Sequence, residues 1–359
     1  MTFREIAKYR LLNQQLAHTK IKSAVEMVEW FGAVQGQEYA QAKWGLGLRL
    51  PHLFDNDIEN ELNDGKILRT HLLRPTWHFV SATDIRWLLK LTAPRVHAVN
   101  AYMYRQSELD NNVLNRCSDI LVKILEGGKQ LTRDAINEEF KKHNVIAKGH
   151  WLSYIMMNAE LEGIICSGAR QGNQFTYALL EERVKYKKSL EKPACPADRD
   201  EALAELTKRY FNSRSSATVK DFATWSGLTI SDCKKGIEMT KTFLQKEVIE
   251  QQEYFFNTTI SLPDKQPEKI HLLPIYDEYI MGYKDRSAIM TFKDNAISSY
   301  DSMILFEGQV IGTWKRTISK NFIDIEFEFF NPLNKYQSKI FDKTVNRFSE
   351  FMNLKMNIK

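Results

Sequence analysis

A chain of 359 residues exceeds what one hydrophobic core serves, so several domains of roughly 60 to 150 residues are expected. Its 43% hydrophobic, 26% charged and 11% aromatic composition excludes a disordered polymer, and no apolar run approaches the roughly 18 residues of a membrane span. The net charge of +5 suits a nucleic-acid partner but also many ordinary enzymes, so the distribution of charge says more than its sum.

The first twenty residues lack the apolar core of a secretory signal, which predicts a cytoplasmic protein without a membrane partner. Cys117, Cys166, Cys195 and Cys233 form no CxxC pair and have no histidine at ligand spacing. No structural zinc, iron-sulfur cluster or disulfide framework is expected, and no cofactor.

In chain order, residues 1–110 read as a first unit: a helix near Ala24 to Phe31, a break over Val34 to Gln37, a helix from Glu38 to Leu48, and paired strands within KILRTHLLRPTWHFVSATD. Residues 111–184 read most clearly. Apolar residues at helical spacing run from Val113 to Leu125 and stop at Gly127-Gly128; Thr132 caps a helix over Arg133 to His143; a third helix runs from about His150 to Glu162. The segment IICSGARQGNQFTYALL then reads as a hairpin. Three short helices followed by a hairpin is the order of a winged helix-turn-helix, whose third helix is offered to a DNA groove.

The order recurs over residues 199–262, with a helix from Asp200 to Phe211, Thr218 capping Lys220 to Trp225, a turn at Gly227, a helix from Ser231 to about Lys241, and the β-type run VIEQQEYFF. A charged, proline-containing linker over 185–198 separates the two. In residues 263–359, NFIDIEFEFF alternates Ile323, Ile325, Phe327 and Phe329 against acidic residues, the period of a half-buried strand. A β-barrel-like or curled-sheet domain closed by a helix from about Ser338 to Met352 is predicted. The fold class is therefore α+β: tandem winged helix-turn-helix units with a C-terminal β-barrel-like domain.

Motifs for serine, zinc and phosphate-cradling chemistry are absent: no GxSxG, HExxH or GxxxxGK[ST] occurs. What remains is VQGQEYAQAKWGLGLR at residues 34–49. Gly36 weakens helix there, so Gln35 and Gln37 can project together from extended backbone beside the start of the next helix. Neutral carboxamides hold no proton titrating near pH 7, but they orient water and turn carbonyl oxygens toward a developing cation. That chemistry suffices only where the leaving group is already good, as for an N7-alkylated purine.

The segments FGAVQGQEYAQAKWGLGLRL, ILRTHLLRPTWHFVSATDI, TVKDFATWSGLT, LLPIYDEYIMGYKDR and GQVIGTWKR follow one another over most of the chain. Together they resemble the AlkZ-like family of bacterial DNA glycosylases. The resemblance implies tandem winged-helix units in a C-shape with a C-terminal β-barrel, no cofactor, and a monomer acting on double-stranded DNA with alkylation damage. It implies excision of N7-alkylated purines and unhooking of interstrand crosslinks, leaving an abasic site in an open cleft with little base flipping. The family's signature of glutamine, apolar residue, then glutamine or aspartate maps onto Gln35 and Gln37, with Gly36 in place of the apolar residue.

Candidate DNA-facing groups are His78, the clustered lysines Lys141, Lys142, Lys187 and Lys188, and Tyr283, Lys284 and Arg286 after a strand. Trp44 and Trp77 suit either base stacking or the core. A competing reading is a non-catalytic winged-helix DNA-binding protein or transcriptional regulator, which would show sequence-specific affinity and dimeric half-sites.

Overall fold

The computed structural model describes residues 1–146, 149–184, 196–257, 269–290, 301–319 and 322–358. Lys187, Lys188 and most of the expected linker lie outside these. The chain forms two compact units, one of Met1–Glu59, Leu206–Trp225 and Thr229–Lys359, the other of Asn60–Glu205 and Ser226–Leu228. The expected first segment, 1–110, is thereby shared between both units after Glu59.

In the second unit the polypeptide follows its capping signals closely. The Asp110 carboxylate accepts the Val113 N–H at 2.9 Å, starting the helix Asn111–Leu125. That helix buries Leu114, Cys117, Ile120, Leu121, Ile124 and Leu125 on one face. Gly127 and Gly128, at φ +81 and +76, take the chain through left-handed backbone that side chains resist. The Thr132 hydroxyl accepts the Ala135 N–H at 3.2 Å and begins Arg133–Lys142, after which comes Trp151–Leu161. Strand Thr176–Leu179 pairs antiparallel with both Ile165–Ser167 and Leu131–Thr132. Helices and strands share one core around Leu121, Ile136, Phe140, Ile155 and Ile165.

Strands Ile67–Leu72 and Arg74–Ser81 form the expected hairpin, with Thr70 opposite His78. The helix Ile85–Gln106, with Pro94 in its interior, follows it and was not singled out from the sequence.

In the order expected for residues 199–262 come helices Arg199–Ser213, Val219–Ser226 and Ile230–Met239, then the hairpin Leu244–Ile249 with Gln252–Asn257. Thr218 and Asp221 cap each other: the Thr218 N–H reaches the Asp221 carboxylate at 2.8 Å and the Asp221 N–H reaches the Thr218 hydroxyl at 3.1 Å.

The first unit is organised by a curled sheet, in the order Lys355–Ile358, Phe322–Phe329, Gln309–Ile318, Ser302–Phe306, Ile270–Leu273 among the described residues. A register shift between Ile304 and Leu305 adds local bend. The predicted alternation holds in Phe322–Phe329, where Ile323 and Ile325 are buried and Glu326 and Glu328 are exposed. The helix Lys335–Met352 buries Phe341, Val345, Phe348 and Phe351, with Phe341 edge-on to Phe327 at 4.7 Å. Phe348 also meets Trp44 at 4.8 Å and Trp314 at 5.3 Å, so the helix Tyr39–Arg49 is tied to the same core.

Candidate active site

The Gln35–Gln37 segment is built entirely within the first unit. Ser23 caps the helix Ala24–Phe31 through its hydroxyl, and Gly32 at φ +77 ends it. The chain then runs extended through Val34–Gln35, and the next helix begins at Tyr39. Glu38 occupies that helix's N-cap without a side-chain cap bond, so the positive end of the helix lies just past Gln37.

Buried ion pairs grip this short crossing from below. Arg214, fully buried, donates to the carbonyls of Phe31 at 2.9 Å and Ala33 at 3.1 Å, and its Nε donates to Glu278 Oε2 at 3.1 Å. Glu278 Oε1 accepts the Gln35 N–H at 2.8 Å, while Oε2 also accepts the Trp225 indole N–H at 3.1 Å. The Arg214 guanidinium lies 4.1 Å from the Trp225 ring centroid. A second pair runs alongside it. Arg49 forks both oxygens of Asp277 at 2.8 Å each and donates to Gln14, whose own amide donates to the Glu278 carbonyl at 2.9 Å.

Side-chain exposure separates the two glutamines. Gln35 is 5% exposed and lines a small recess with Val34, Gly45, Arg49, Asp277 and Glu278; Gln37 is half-buried. The recess holds about 10 Å³, room for roughly one water molecule. It is far smaller than the roughly 300 Å³ at which ligand pockets begin, so no flipped purine fits there. Gln35 and Gln37 thus sit over a buried, charge-balanced floor in which the Gln35 backbone N–H is held by Glu278.

A family model described as DNA glycosylase AlkZ-like matches residues 28–351. The chain belongs to the AlkZ-like family of DNA glycosylases. It is accordingly an enzyme of the class that hydrolyses N-glycosyl bonds. This AlkZ-like chain is similar to an interstrand DNA cross-link repair glycosylase of Streptomyces sahachiroi, 22% identical over 335 residues and 88% of each chain. Its fold is similar to that of the solved Streptomyces sahachiroi DNA glycosylase AlkZ, with a TM-score of 0.79 at 20% identity over the whole of both chains.

The other sequence-derived candidates fall into different environments of the AlkZ-like fold. Lys141 and Lys142 are exposed at the end of Arg133–Lys142, each paired at 2.7 Å with the glutamate three residues earlier. Lys284 is exposed and Arg286 half-buried; the backbone amides of Lys284 and Asp285 donate to Asp221 at 2.7 and 2.9 Å. Tyr283 corrects the expectation of a DNA-facing residue: it is 1% exposed, beneath the Arg10 guanidinium at 3.7 Å, and burial pushes its phenol up to about 12. A fully covered ring has no face left for DNA.

His78 is likewise buried in its strand, Nδ1 2.9 Å from the Thr76 carbonyl oxygen, so its side chain has no open path to a lesion. Trp44 is a core residue whose indole donates to the Leu272 carbonyl at 2.7 Å. Trp77 is half-buried and stacks on the Arg69 guanidinium at 4.3 Å, with Phe175 on Arg69 at 4.5 Å. Sequence reasoning missed Glu278, Arg214, Arg49 and Asp277. The acidic side chains sit in the quoted segment LLPIYDEYIMGYKDR, but nothing local marks them as buried. Among the described residues no cluster of His, Cys, Asp and Glu suits a metal ion, and no helix is long and apolar enough to cross a membrane.

Proposed function

We propose that this glycosylase hydrolyses the N-glycosidic bond of N7-alkylated purines in double-stranded DNA and unhooks interstrand crosslinks built on them, working as a cytoplasmic monomer without a cofactor. The repair role is named for the Streptomyces relative, and the family's reaction class agrees with it. Alkylation at N7 places positive charge on the purine, so bond breaking to C1′ begins without protonation of the leaving base. Gln35 and Gln37 then hold one water against C1′ and turn carbonyl oxygens toward the oxocarbenium-like sugar. Water adds to C1′ and loses a proton to solvent; the neutral alkylated base departs and an abasic site remains.

The observation that carries this reading is the bond from the Gln35 N–H to Glu278, itself held by Arg214 and Trp225. That bond fixes the backbone from which the Gln35 side chain projects, and a group carried on fixed backbone reorganises less as charge develops, which is where electrostatic catalysis gains most. The small recess supports the open-cleft expectation, since a crosslinked base cannot swing into a closed pocket. The helix-helix-helix-hairpin order in 111–184 and 199–257 supports reading both as winged-helix units that follow the DNA backbone, with Lys141, Lys142, Lys284 and Arg286 as phosphate contacts.

Base release tests the reading directly. A duplex with one N7-methylguanine and a duplex with one N7-linked interstrand crosslink are each incubated with the protein and with Gln35→Ala/Gln37→Ala, and alkali-labile breaks are scored. Release by the wild type that disappears in the double variant supports the proposal. No release from either substrate, despite tight DNA binding, would leave a non-catalytic binding protein.

A further inference from the structure

The C-terminal helix Lys335–Met352 has two faces of opposite character. Phe341, Val345, Phe348 and Phe351 are buried, while Lys335, Lys339, Lys343 and Arg347 recur every four residues along the rest. Between this helix, the segment after the first helix and strand Ile270–Leu273 lies a groove of about 750 Å³. Its walls carry His18, Arg49, Lys269, Lys339, Lys343 and Arg347, and no aspartate or glutamate among the described residues.

Several exposed lysines elsewhere are held by carboxylates. Lys66, Lys141, Lys142, Lys241 and Lys246 each hold a carboxylate within 3.0 Å. Lys339 and Lys343 form no ion pair among the described residues. Lys269 donates to the Ala17 carbonyl at 2.7 Å and Arg347 to the Leu53 carbonyl at 2.6 Å, contacts that aim the cations without cancelling their charge. Among the described residues Arg49 is the groove cation neutralised by a carboxylate, that of Asp277. His271 at the base stays uncharged: burial, then Lys269 and Arg49, push its imidazole down to about 3. Among the described residues the groove therefore presents positive potential with no carboxylate in its wall.

From Lys339 to Arg347 the stripe runs through eight residue steps, about 12 Å of helix. That exceeds one phosphate group, whereas a DNA strand sets down a charge about every 3.4 Å along the duplex axis. We propose that this groove is a DNA-backbone site distinct from the glutamine pair, in which Lys339, Lys343 and Arg347 contact phosphates of the substrate outside the lesion. The occupant is taken as DNA because the chain is a DNA glycosylase, and the contact is independent of sequence and of damage.

The test uses the full chain and a short undamaged duplex, with fluorescence anisotropy read across about 50 to 200 mM salt. Lys339→Glu/Lys343→Glu removes only exposed side chains and is expected to weaken affinity about tenfold or more at the low-salt end. It should also make the log K against log salt slope shallower by about 1.8, at 0.9 per phosphate contact. Lys339→Arg/Lys343→Arg retains both charges and should bind like the wild type. Unchanged affinity and slope in the Glu variant would overturn the proposal. So would a small-anion outcome, in which millimolar pyrophosphate raises the melting temperature of the wild type and not of the Glu variant while DNA affinity is equal. Because undamaged DNA is the probe, an inactive glutamine pair would leave this result unaffected.

Discussion

Glu278 accepts the backbone N–H of Gln35 at 2.8 Å across 243 positions of chain, and the same carboxylate is the counter-ion of the fully buried Arg214. One side chain thus joins the placement of the first catalytic candidate to the charge balance of the core. A buried pair of this kind adds little net stability over apolar packing, but losing one partner strands the other's charge. Its position beside the Gln35–Gln37 segment fits a role in placing that segment.

Glu278→Gln keeps the shape and strands the Arg214 charge, so unfolding in urea should show a loss of about 3–5 kcal/mol. Adding Arg214→Met should restore much of that loss, because the two effects are coupled. In the folded single variant, maximal base release should fall while affinity for undamaged DNA stays constant. A variant that loses under about 1 kcal/mol, with base release intact, would show that the carboxylate places nothing.

Gly47→Ala tests the tie between the helix behind the pair and the C-terminal helix. A Cβ at this position runs into the Phe351 ring, which itself packs on Trp44 at 5.1 Å. Overpacking of this kind costs about 1–3 kcal/mol, and thermal melting should report it. An unchanged melting temperature would mean that the two helices separate without penalty.

Local signals in the sequence located much of this architecture. Thr132 and the Gly127-Gly128 stop marked helix ends within a residue or two, because caps and positive-φ glycines act on neighbouring amides. The period of two in Phe322–Phe329 likewise reports the half-buried sheet face. The helix Ile85–Gln106 escaped because Pro94 breaks the expected pattern and the buried residues Ile85, Leu88, Leu89 and Leu91 crowd its first half. At the candidate site, the short extended crossing at Val34–Gln35 was legible from Gly36, which weakens helix there. The floor beneath them was not. Arg214 and Glu278 lie 64 positions apart, and in sequence they look like any solvated surface charges; only tertiary packing turns them into a buried pair. Tyr283 failed for the converse reason, since its exposed neighbour Lys284 suggests a surface turn while the ring points into the core.

Acid should weaken the fold through His271. Its imidazole lies near 3 in the folded chain against 6.5 as the ordinary value, chiefly because burial disfavours the charged form. The unfolded chain therefore binds the proton more tightly. This contribution is fully present above pH 6.5 and is lost as pH falls toward 3, at about 1.4 kcal/mol per unit. Between pH 7.5 and 5 the urea midpoint should drop by the equivalent of about 2 kcal/mol from this residue. His271→Gln should lower stability at pH 7.5 but show a smaller drop over the same range. Parallel pH dependences in the two proteins would assign the acid sensitivity elsewhere.

The rate of chemistry should respond to pH quite differently. If two neutral carboxamides hold the water and the alkylated purine leaves without protonation, no group in the reacting constellation changes charge between pH 6 and pH 9. Single-turnover base release from an N7-methylguanine duplex, at saturating protein and corrected for spontaneous loss, should then be flat over that range. A general base with a pKa inside the range would instead give a limb of unit slope, tenfold per pH unit, on its acidic side. Gln37→Asp separates the two cases further. A carboxylate at that position activates water more strongly and brings negative charge toward the sugar cation, so its rate should fall as the pH drops through the carboxylate range near 4. A sloping wild-type profile above pH 6 would transfer the water-activating role from the glutamines to a titrating side chain.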